Sequence, residues 1–232
     1  MSDRRPELIL RLTHSLAGLP VGDPLPMRMC LAFVQVTRAR GGSITLGYAN
    51  TERTLLCATD DEAARYEDAQ DVVREGPSLD AYRTGVIVST GSLDEHRRRW
   101  PGLDAAVSPT PRGVRAVPIR PDSSIMGVLT VFDGAELESD ATELQFLADA
   151  IGAGILGDLP APDDESRLWG ERDLVSQATG MVVAQLRIPP GDALAVLRAH
   201  AFARGVSAVD VSRRVVGREL DFSQREGGDD AP

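Results

Sequence analysis

The sequence predicts an α+β protein in which an antiparallel sheet with flanking helices is followed by a bundle of three helices. Two observations predict this order. Between residues 43 and 132, short segments rich in β-branched residues are separated by Gly, Pro, Asp or Asn, as is typical of strands and turns. In the last quarter of the chain, apolar residues recur every three or four positions in three successive runs, as in amphipathic helices. The chain of 232 residues is long enough for one sizeable core and a small helical module.

Helices are expected on both sides of the strands. Leucines recur at helical spacing within residues 4–19, and a second helix is expected to open at Pro26. A third helix over residues 62–74, with Asp60 or Asp61 as its N-cap, interrupts the strands. The strands themselves are predicted over residues 43–48, 53–58, 86–90, 113–119 and 126–132. A helix over residues 141–156 follows, and this order suits an antiparallel sheet with its helices on one face.

A segment rich in Pro and acidic residues separates the two parts of the chain. Residues 159–165 cannot continue a helix and form the best linker candidate. We therefore expect an N-terminal domain over residues 5–158 and a C-terminal domain over residues 166–222. Residues 223–232 are expected to form a disordered acidic tail.

The C-terminal domain is predicted to contain three short helices. The first pattern covers residues 166–186. The second opens at Pro190, because a proline lacks only an N–H that would be unpaired at that position, and it ends at Gly205. The third starts at Ser207, whose hydroxyl can accept a hydrogen bond from the amide of Asp210.

Charge differs between the two parts. Residues 1–165 carry a net charge of −10, whereas residues 166–222 carry 8 Arg against 6 acidic residues. A small positive excess supplies little non-specific attraction to nucleic acid, so any RNA recognition would depend on shape and exposed bases. The alternative is that these arginines are only the solvated faces of amphipathic helices.

The residue types exclude several kinds of chemistry. The chain contains no lysine, which excludes Schiff-base, P-loop and kinase-type lysine mechanisms as well as a phosphoacceptor receiver domain. Cys30 and Cys57 are distant in sequence and lack metal-ligand spacing, and we interpret them as free thiols that behave as small core hydrophobes. The single histidines predict no metal site, and His96 is expected in a solvated turn beside three arginines. No cofactor and no catalytic residue are predicted.

No segment predicts membrane insertion. The sequence has no apolar run long enough to cross a bilayer, and its N-terminus lacks the apolar region of a signal peptide. We expect the protein to remain in the cytoplasm and to have no membrane partner.

Residues in the last quarter resemble the ANTAR domain. The resemblance is carried by QATGMVVAQL at 177–186, DALAVLRAHAFARG at 192–205 and VSRRVVGREL at 211–220. It implies a three-helix RNA-binding module of bacterial transcription antiterminators, with RNA stem-loops as the partner. The first two helices carry polar side chains and a glycine at which RNA could come close to the backbone, and these predict the contacts with the RNA loops. The predicted contacts are Gln177, Thr179, Gly180, Arg198, His200 and Arg204. For His200, packing between helices is an equal alternative to stacking on a base.

The segment before it resembles a GAF domain. The motifs are SITLGY, RTLLCATDDEAA, EGPSLDAYRTGVIV, RWPGL, GVRAVPIRP and MGVLTVFD, spread over residues 43–133. The resemblance implies a pocket on one face of the sheet that holds a small ligand. Glu75, Gly76, Pro77 and Ser78 would lie near it, with Ser78 capping the following helix. Together the two resemblances match the GAF plus ANTAR architecture of actinobacterial regulators.

A homodimer is also expected, because paired RNA hairpins suit a two-fold partner. Its interface is predicted to contain Leu168, Trp169, Val175 and Val182. The leading hypothesis is thus a non-enzymatic transcription antitermination regulator controlled by a ligand or partner at its GAF-like domain. One alternative is a redox enzyme related to methionine sulfoxide reductase, which would use Cys30 and Cys57. The other is a regulator that binds only proteins.

Overall fold

A computed structural model describes residues 4–47, 53–121, 124–132, 141–156 and 168–223. Contacts divide the chain into two compact units, Met1–Gly152 and Ala153–Pro232. The predicted linker over residues 159–165 and most of the predicted tail lie outside the described residues. The domain boundaries given above therefore stay predictions.

The N-terminal unit alternates helices and strands. Its helices are α1 (Arg5–Ala17), α2 (Leu25–Thr37), α3 (Asp61–Val73), α4 (Pro77–Thr84), α5 (Leu93–Arg99), α6 (Pro101–Ala106) and the start of α7 (Ala141–Leu156). Its strands are β1 (Gly41–Gly47), β2 (Arg53–Ala58), β3 (Val88–Thr90), β4 (Val114–Ile119) and β5 (Gly127–Phe132). The C-terminal unit contains α8 (Leu168–Leu186), α9 (Pro190–Arg204) and α10 (Ala208–Val216). The predicted fold class, an antiparallel sheet with flanking helices followed by three helices, is confirmed.

The five strands form one antiparallel sheet in the order β2-β1-β5-β4-β3. Strand β5 lies so close to β1 that a Cβ atom on Gly127 would stand 2.1 Å from the carbonyl oxygen of Thr45. Glycine is therefore required at the first residue of β5. The register between β1 and β2 shifts after Ile44, which pairs with Cys57. This irregularity bends the edge strand β2.

Helices cover both faces of the sheet, rather than the one face expected from the element order. A Cβ atom on Gly42 would meet the Val34 side chain of α2, whereas the hydroxyl of the next residue, Ser43, binds Glu67 of α3. Successive residues of a strand point to opposite faces, so α2 and α3 lie on opposite sides. Coverage of both faces agrees with the central strand, because every residue of β5 is buried.

The α3 face carries a core of aromatic and aliphatic side chains. Its members are Ala63, Tyr66, Ala81, Val88, Trp100, Leu103, Val114, Ala116, Val128 and Phe132. Tyr66 meets Phe132 edge to face with ring centroids 5.1 Å apart. Side chains thus fill the middle of this face.

Local signals at the helix ends are mostly confirmed. Asp60 caps α3 by accepting from the amide of Ala63 at 2.8 Å, and Ser207 caps α10 by accepting from the amide of Asp210 at 3.1 Å. Ser78 is a correction, because α4 starts at Pro77 and the Ser78 hydroxyl instead donates to Glu67. Helices α5 and α6 had no counterpart in the sequence prediction.

Candidate functional site

The three helices of the C-terminal unit bury a small apolar core. Ala178 and Val182 of α8, Ala193 and Leu197 of α9 and Val211 of α10 are each 0% exposed. Alanines at one of these α8 positions and one of these α9 positions let the helices approach closely, and the stripe on α10 alternates with charged residues. Gly205 ends α9 with a positive φ of 63°, as its position after the last helical residue predicts.

His200 lies inside this unit. Its ring meets Phe222 edge to face with centroids 5.1 Å apart, and its side chain is among the buried polar groups. Burial lowers the pKa of His200 to about 4, and the charges of Arg204 and Arg214 act in the same direction. A neutral, interior imidazole favours the second of the two interpretations that the sequence left open, which is packing between helices.

In the N-terminal unit, residues 75–78 form a turn that is tied down by hydrogen bonds. The Glu75 carboxylate accepts from the amide of Gly102 at 2.9 Å. Gly76 has a φ of 149°, which favours glycine, and its Cα hydrogen faces Gln70 so closely that a side chain would collide there. The amide of Ser78 donates to the Gln70 side-chain oxygen at 2.9 Å.

A buried carboxylate lies beneath this turn. Glu67 is 1% exposed and accepts hydrogen bonds from Ser43, Arg53, Gln70 and Ser78 at 2.7 to 2.9 Å. The four partners come from β1, β2, α3 and α4, so this network joins four elements. Sequence reasoning missed Glu67, because an acidic residue in an amphipathic helix ordinarily faces solvent.

A second polar cluster joins three helices. His96 of α5 lies 2.8 Å from the Tyr66 hydroxyl through its Nε2 atom, and its Nδ1 atom lies 3.8 Å from the Asp104 carboxylate. His96 is 0% exposed, so the solvated turn predicted for it is wrong. Burial is the main reason that the pKa of His96 is lowered; Arg97 lowers it further, and Asp104 opposes the shift.

Two cavities adjoin the loop that follows α6. One of about 270 Å³ is lined by Glu62, Arg65, Tyr66 and residues 106–109 and 111. The other, of about 560 Å³, is lined by Leu93, Arg97, residues 104–105, residues 107–110 and Arg112. Neither cavity is lined by the turn at residues 75–78, which the sequence placed near a ligand.

The comparison with protein families decides what the C-terminal unit is. A family described as ANTAR domain matches residues 169–216, which span α8, α9 and α10 almost completely. Residues 169–216 form an ANTAR domain. The resemblance drawn from the three sequence segments is confirmed, and the chain carries the domain of a regulator.

Solved structures with GAF domains resemble the chain more weakly. The GAF domain from Acinetobacter phosphoenolpyruvate-protein phosphotransferase is 15% identical, with a TM-score of 0.47 over 70% of this chain and 100% of that chain. Free methionine-R-sulfoxide reductase from Neisseria meningitidis is 18% identical, with a TM-score of 0.41 over 66% and 90%. The A. Aeolicus nlh2 GAF domain is 14% identical, with a TM-score of 0.39 over 64% and 91%.

No curated protein matches the sequence. Among the helices of the described residues, none has the length and apolar character that crossing a bilayer requires.

The ANTAR domain exposes only some of the predicted RNA contacts. Gln177 and Gly180 of α8 and Arg204 at the end of α9 are exposed, and no atom lies within 4 Å of a Cβ built on Gly180. Thr179 is half-buried and donates to the Val175 carbonyl at 2.7 Å, and Arg198 is also half-buried. These five positions are at least partly exposed, whereas His200 is buried.

The predicted dimer residues of the ANTAR domain also differ in their exposure to solvent. Val182 is 0% exposed within its own unit, and Val175 is half-buried. The side chains of Leu168 and Trp169 lie outside the described residues. Val182 therefore supports the fold of a single domain, and Val175 is the described position that remains accessible to a second copy.

Proposed function

We propose that this protein is a transcription regulator that binds RNA stem-loops through its ANTAR domain and thereby lets RNA polymerase read through a terminator. The match over residues 169–216, on a unit that folds into three helices with a shared apolar core, carries this proposal. The antitermination role is what the ANTAR resemblance implies, and the geometry below supports an RNA-binding surface.

The contact surface that we propose lies on the outer side of α8 and at the end of α9. Gln177 and Gly180 are three residues apart on a helix, so they share one exposed face. The open space above Gly180 lets a nucleotide approach the helix backbone, and Gln177 can hydrogen-bond to an unpaired base. Arg204 adds a cation at the exposed end of α9.

His200 has a supporting role in this proposal. Its contact with Phe222 joins α9 to the segment after α10, and the amide of Phe222 donates to Gln185 of α8 at 3.2 Å. The ring thus helps to hold the three helices together beneath the surface. The proposed contacts are Gln177, Thr179, Gly180, Arg198 and Arg204.

The charge of the domain limits how it recognises RNA. Its excess of two arginines over acidic residues supplies little attraction to phosphates, and Arg213 is paired with Asp210 at 2.7 Å. We therefore expect weak binding to duplex RNA and stronger binding to loops, whose unstacked bases are accessible.

The test uses the full-length chain and fluorescence anisotropy. The probe is an RNA with two hairpin loops, and the control RNA has the same length and composition but forms one continuous duplex. Preferential binding to the hairpin RNA is expected. Equal binding to both RNAs contradicts recognition of loops. Binding to neither RNA contradicts the proposal as a whole and favours the regulator that binds only proteins.

A matched pair of variants tests the position of the surface. Arg204→Ala is expected to weaken hairpin binding several-fold, since it removes a cation from the proposed surface. Arg83→Ala changes the same charge at an exposed position of the other unit and is expected to have no effect. Equal losses in both variants would mean that only net charge matters.

Two finer features belong to the same proposal. Control by a small ligand or a protein partner at the GAF-like unit is supported by the two cavities beside the loop at residues 107–109, which lines both. Dimerisation is supported by the accessible Val175 on α8. Light scattering with and without hairpin RNA tests the dimer, and a monomer in both conditions contradicts it.

A further inference from the structure

The fold brings the two cysteines of the chain together. Cys30 is 0% exposed on α2, which lies against β1 and β2. Cys57 of β2 pairs directly with Ile44 of β1, and Ile44 shares the sheet face of Gly42, where Val34 of α2 makes contact. Both cysteines therefore face the same interface, close enough for a hydrogen bond between them to shift the pKa of each.

The two sulfurs have different surroundings. The Cys57 sulfur accepts hydrogen bonds from the Cys30 thiol and from the backbone amide of Ile44, and these donors lower the pKa of Cys57 although burial opposes them. The same bond and burial raise the pKa of Cys30. The amide of Ile44 is located where the register between β1 and β2 shifts. Cys57 is thus the sulfur that is prepared to become a thiolate.

Cys57 is also the sulfur that a small reagent can reach. It is half-buried, whereas Cys30 is fully buried. Strand β2 is at the edge of the sheet, so only one of its sides is covered by another strand. A small neutral oxidant can therefore meet Cys57 first, and Cys30 is in position to react with the product.

We propose that Cys57 and Cys30 form a peroxide-reactive dithiol site, in which Cys57 is oxidised first and Cys30 then closes a reversible disulfide between β2 and α2. The reacting partner is hydrogen peroxide or a small organic hydroperoxide. This modification site is independent of the RNA-binding proposal, and no sulfoxide substrate is involved.

The reaction balances in two steps. The Cys57 thiolate attacks one peroxide oxygen, the O–O bond breaks, and a sulfenic acid forms while the departing hydroxide takes a proton from solvent to become water. The Cys30 sulfur then attacks the Cys57 sulfur, an S–S bond forms and the S–O bond breaks. The hydroxide released from Cys57 takes the proton of Cys30 and forms a second water. Two thiols are oxidised to one disulfide, and one hydrogen peroxide is reduced to two waters; an organic hydroperoxide would give one alcohol and one water instead.

The test follows the cysteines of the full-length chain by mass spectrometry. Reduced protein is exposed to hydrogen peroxide, the remaining thiols are alkylated, and trypsin separates the two cysteines by cutting after Arg28, Arg38, Arg53 and Arg65. A linked pair of peptides, 29–38 with 54–65, is expected, and dithiothreitol should restore both free thiols. No link in the oxidised protein, or a link only between two chains, overturns the proposal.

Two variants assign the order of the steps, with circular dichroism as the check that each one folds. In Cys30→Ser, Cys57 should stop at the sulfenic acid, which dimedone traps. In Cys57→Ser, oxidation of Cys30 should be slower by about tenfold or more, because that thiol is buried and carries less thiolate. Dimedone labelling of Cys30 rather than Cys57 overturns the assignment. If a variant does not fold, the peptide link in the unaltered chain still decides the proposal.

Discussion

The Nε2 atom of His96 lies 2.8 Å from the hydroxyl oxygen of Tyr66, deep inside the N-terminal unit. This bond joins α5 to α3. The rings are tilted at 51° with centroids 6.0 Å apart, and Trp100 meets the imidazole edge to face with centroids 5.4 Å apart. A polar contact is thus enclosed by aromatic rings, where an unpaired imidazole nitrogen would be costly.

Removal of the Tyr66 hydroxyl should therefore destabilise the N-terminal unit. In Tyr66→Phe both ring nitrogens of His96 would lack a hydrogen-bond partner, because Nδ1 makes none. The expected loss in the free energy of unfolding is about 1–3 kcal/mol. Urea denaturation measures it, with Tyr82→Phe as the control because Tyr82 is half-buried in the same unit. Equal stability of Tyr66→Phe and the unaltered protein would show that the bond contributes nothing.

Glu67→Gln should have a larger effect, because the carboxylate compensates a buried guanidinium. The side chains of Glu67 and Arg53 are 1% and 4% exposed, with 2.7 Å between the carboxylate oxygen and Nη2. The neutral amide leaves Arg53 with only the partly exposed carboxylate of Asp71, 3.3 Å from Nη1, as counter-charge. The loss in the free energy of unfolding is therefore expected to be about 3 kcal/mol, the lower end for a broken buried pair. Thermal and urea denaturation of the full chain measure it.

The control for that prediction is a surface ion pair on the same helix. Glu62 of α3 pairs with Arg40 at 2.7 Å, and the Arg40 side chain is 54% exposed. Glu62→Gln should cost no more than about 1 kcal/mol, since solvent screens exposed pairs. Similar losses in the two variants would mean that burial of Glu67 is not what makes its charge important.

Acid should weaken the ANTAR domain through His200. The pKa of His200 is lowered to about 4 in the folded state, against a usual value of 6.5, so protonation favours the unfolded chain. The stability of the domain with a neutral His200 is fully present above pH 6.5. It is lost as the pH falls through about 4, and the free energy of unfolding decreases by up to about 3 kcal/mol. Amide hydrogen exchange in α9 should show this loss, and His200→Gln should reduce its pH dependence.

His14→Gln provides the matched control, because His14 belongs to α1 of the other unit. It should leave the pH dependence of exchange in α9 unchanged. The titration of the His200 ring by NMR gives a second readout, and a midpoint near 6.5 would contradict the interior position.

Gly180→Ala should separate stability from RNA binding. A methyl group there meets no atom within 4 Å, and alanine is the better helix former, so α8 should gain about 0.5–1 kcal/mol. If RNA approaches the helix at this glycine, the same methyl group should weaken hairpin binding. Gly191→Ala is the control, since it adds a methyl group in open space on α9, outside the proposed surface. Unchanged RNA affinity in Gly180→Ala would remove this residue from the surface.

Local sequence signals were enough for most of the helices and strands. Asp60, one of two cap candidates for α3, and Ser207 are predictable as caps because their side chains need only the amides three residues ahead. Gly205 was predicted as the end of α9 because the left-handed backbone there suits glycine. The ANTAR domain was recognisable from its sequence alone, since the small and apolar residues that bring its helices together occur in a fixed order.

The short helices α5 and α6 were not predictable in the same way. They contain 7 and 6 residues, too few for a hydrophobic period to stand out, and the three arginines of α5 suggest a solvated turn. Their position depends on Tyr66 of α3, which is distant in sequence and contacts His96 of α5. Burial of His96 is therefore a property of the assembled unit.

The sequence by itself determined the two kinds of architecture, the helix ends and the residue types that could react, because caps, turns and periodicity act over a few neighbouring residues. Only the tertiary structure decided which polar groups meet. It placed Glu67 against Arg53, His96 against Tyr66, and Cys30 against Cys57. These pairs join separate elements, and they form because burial of an unpaired polar group is costly wherever the sheet and its helices close around it.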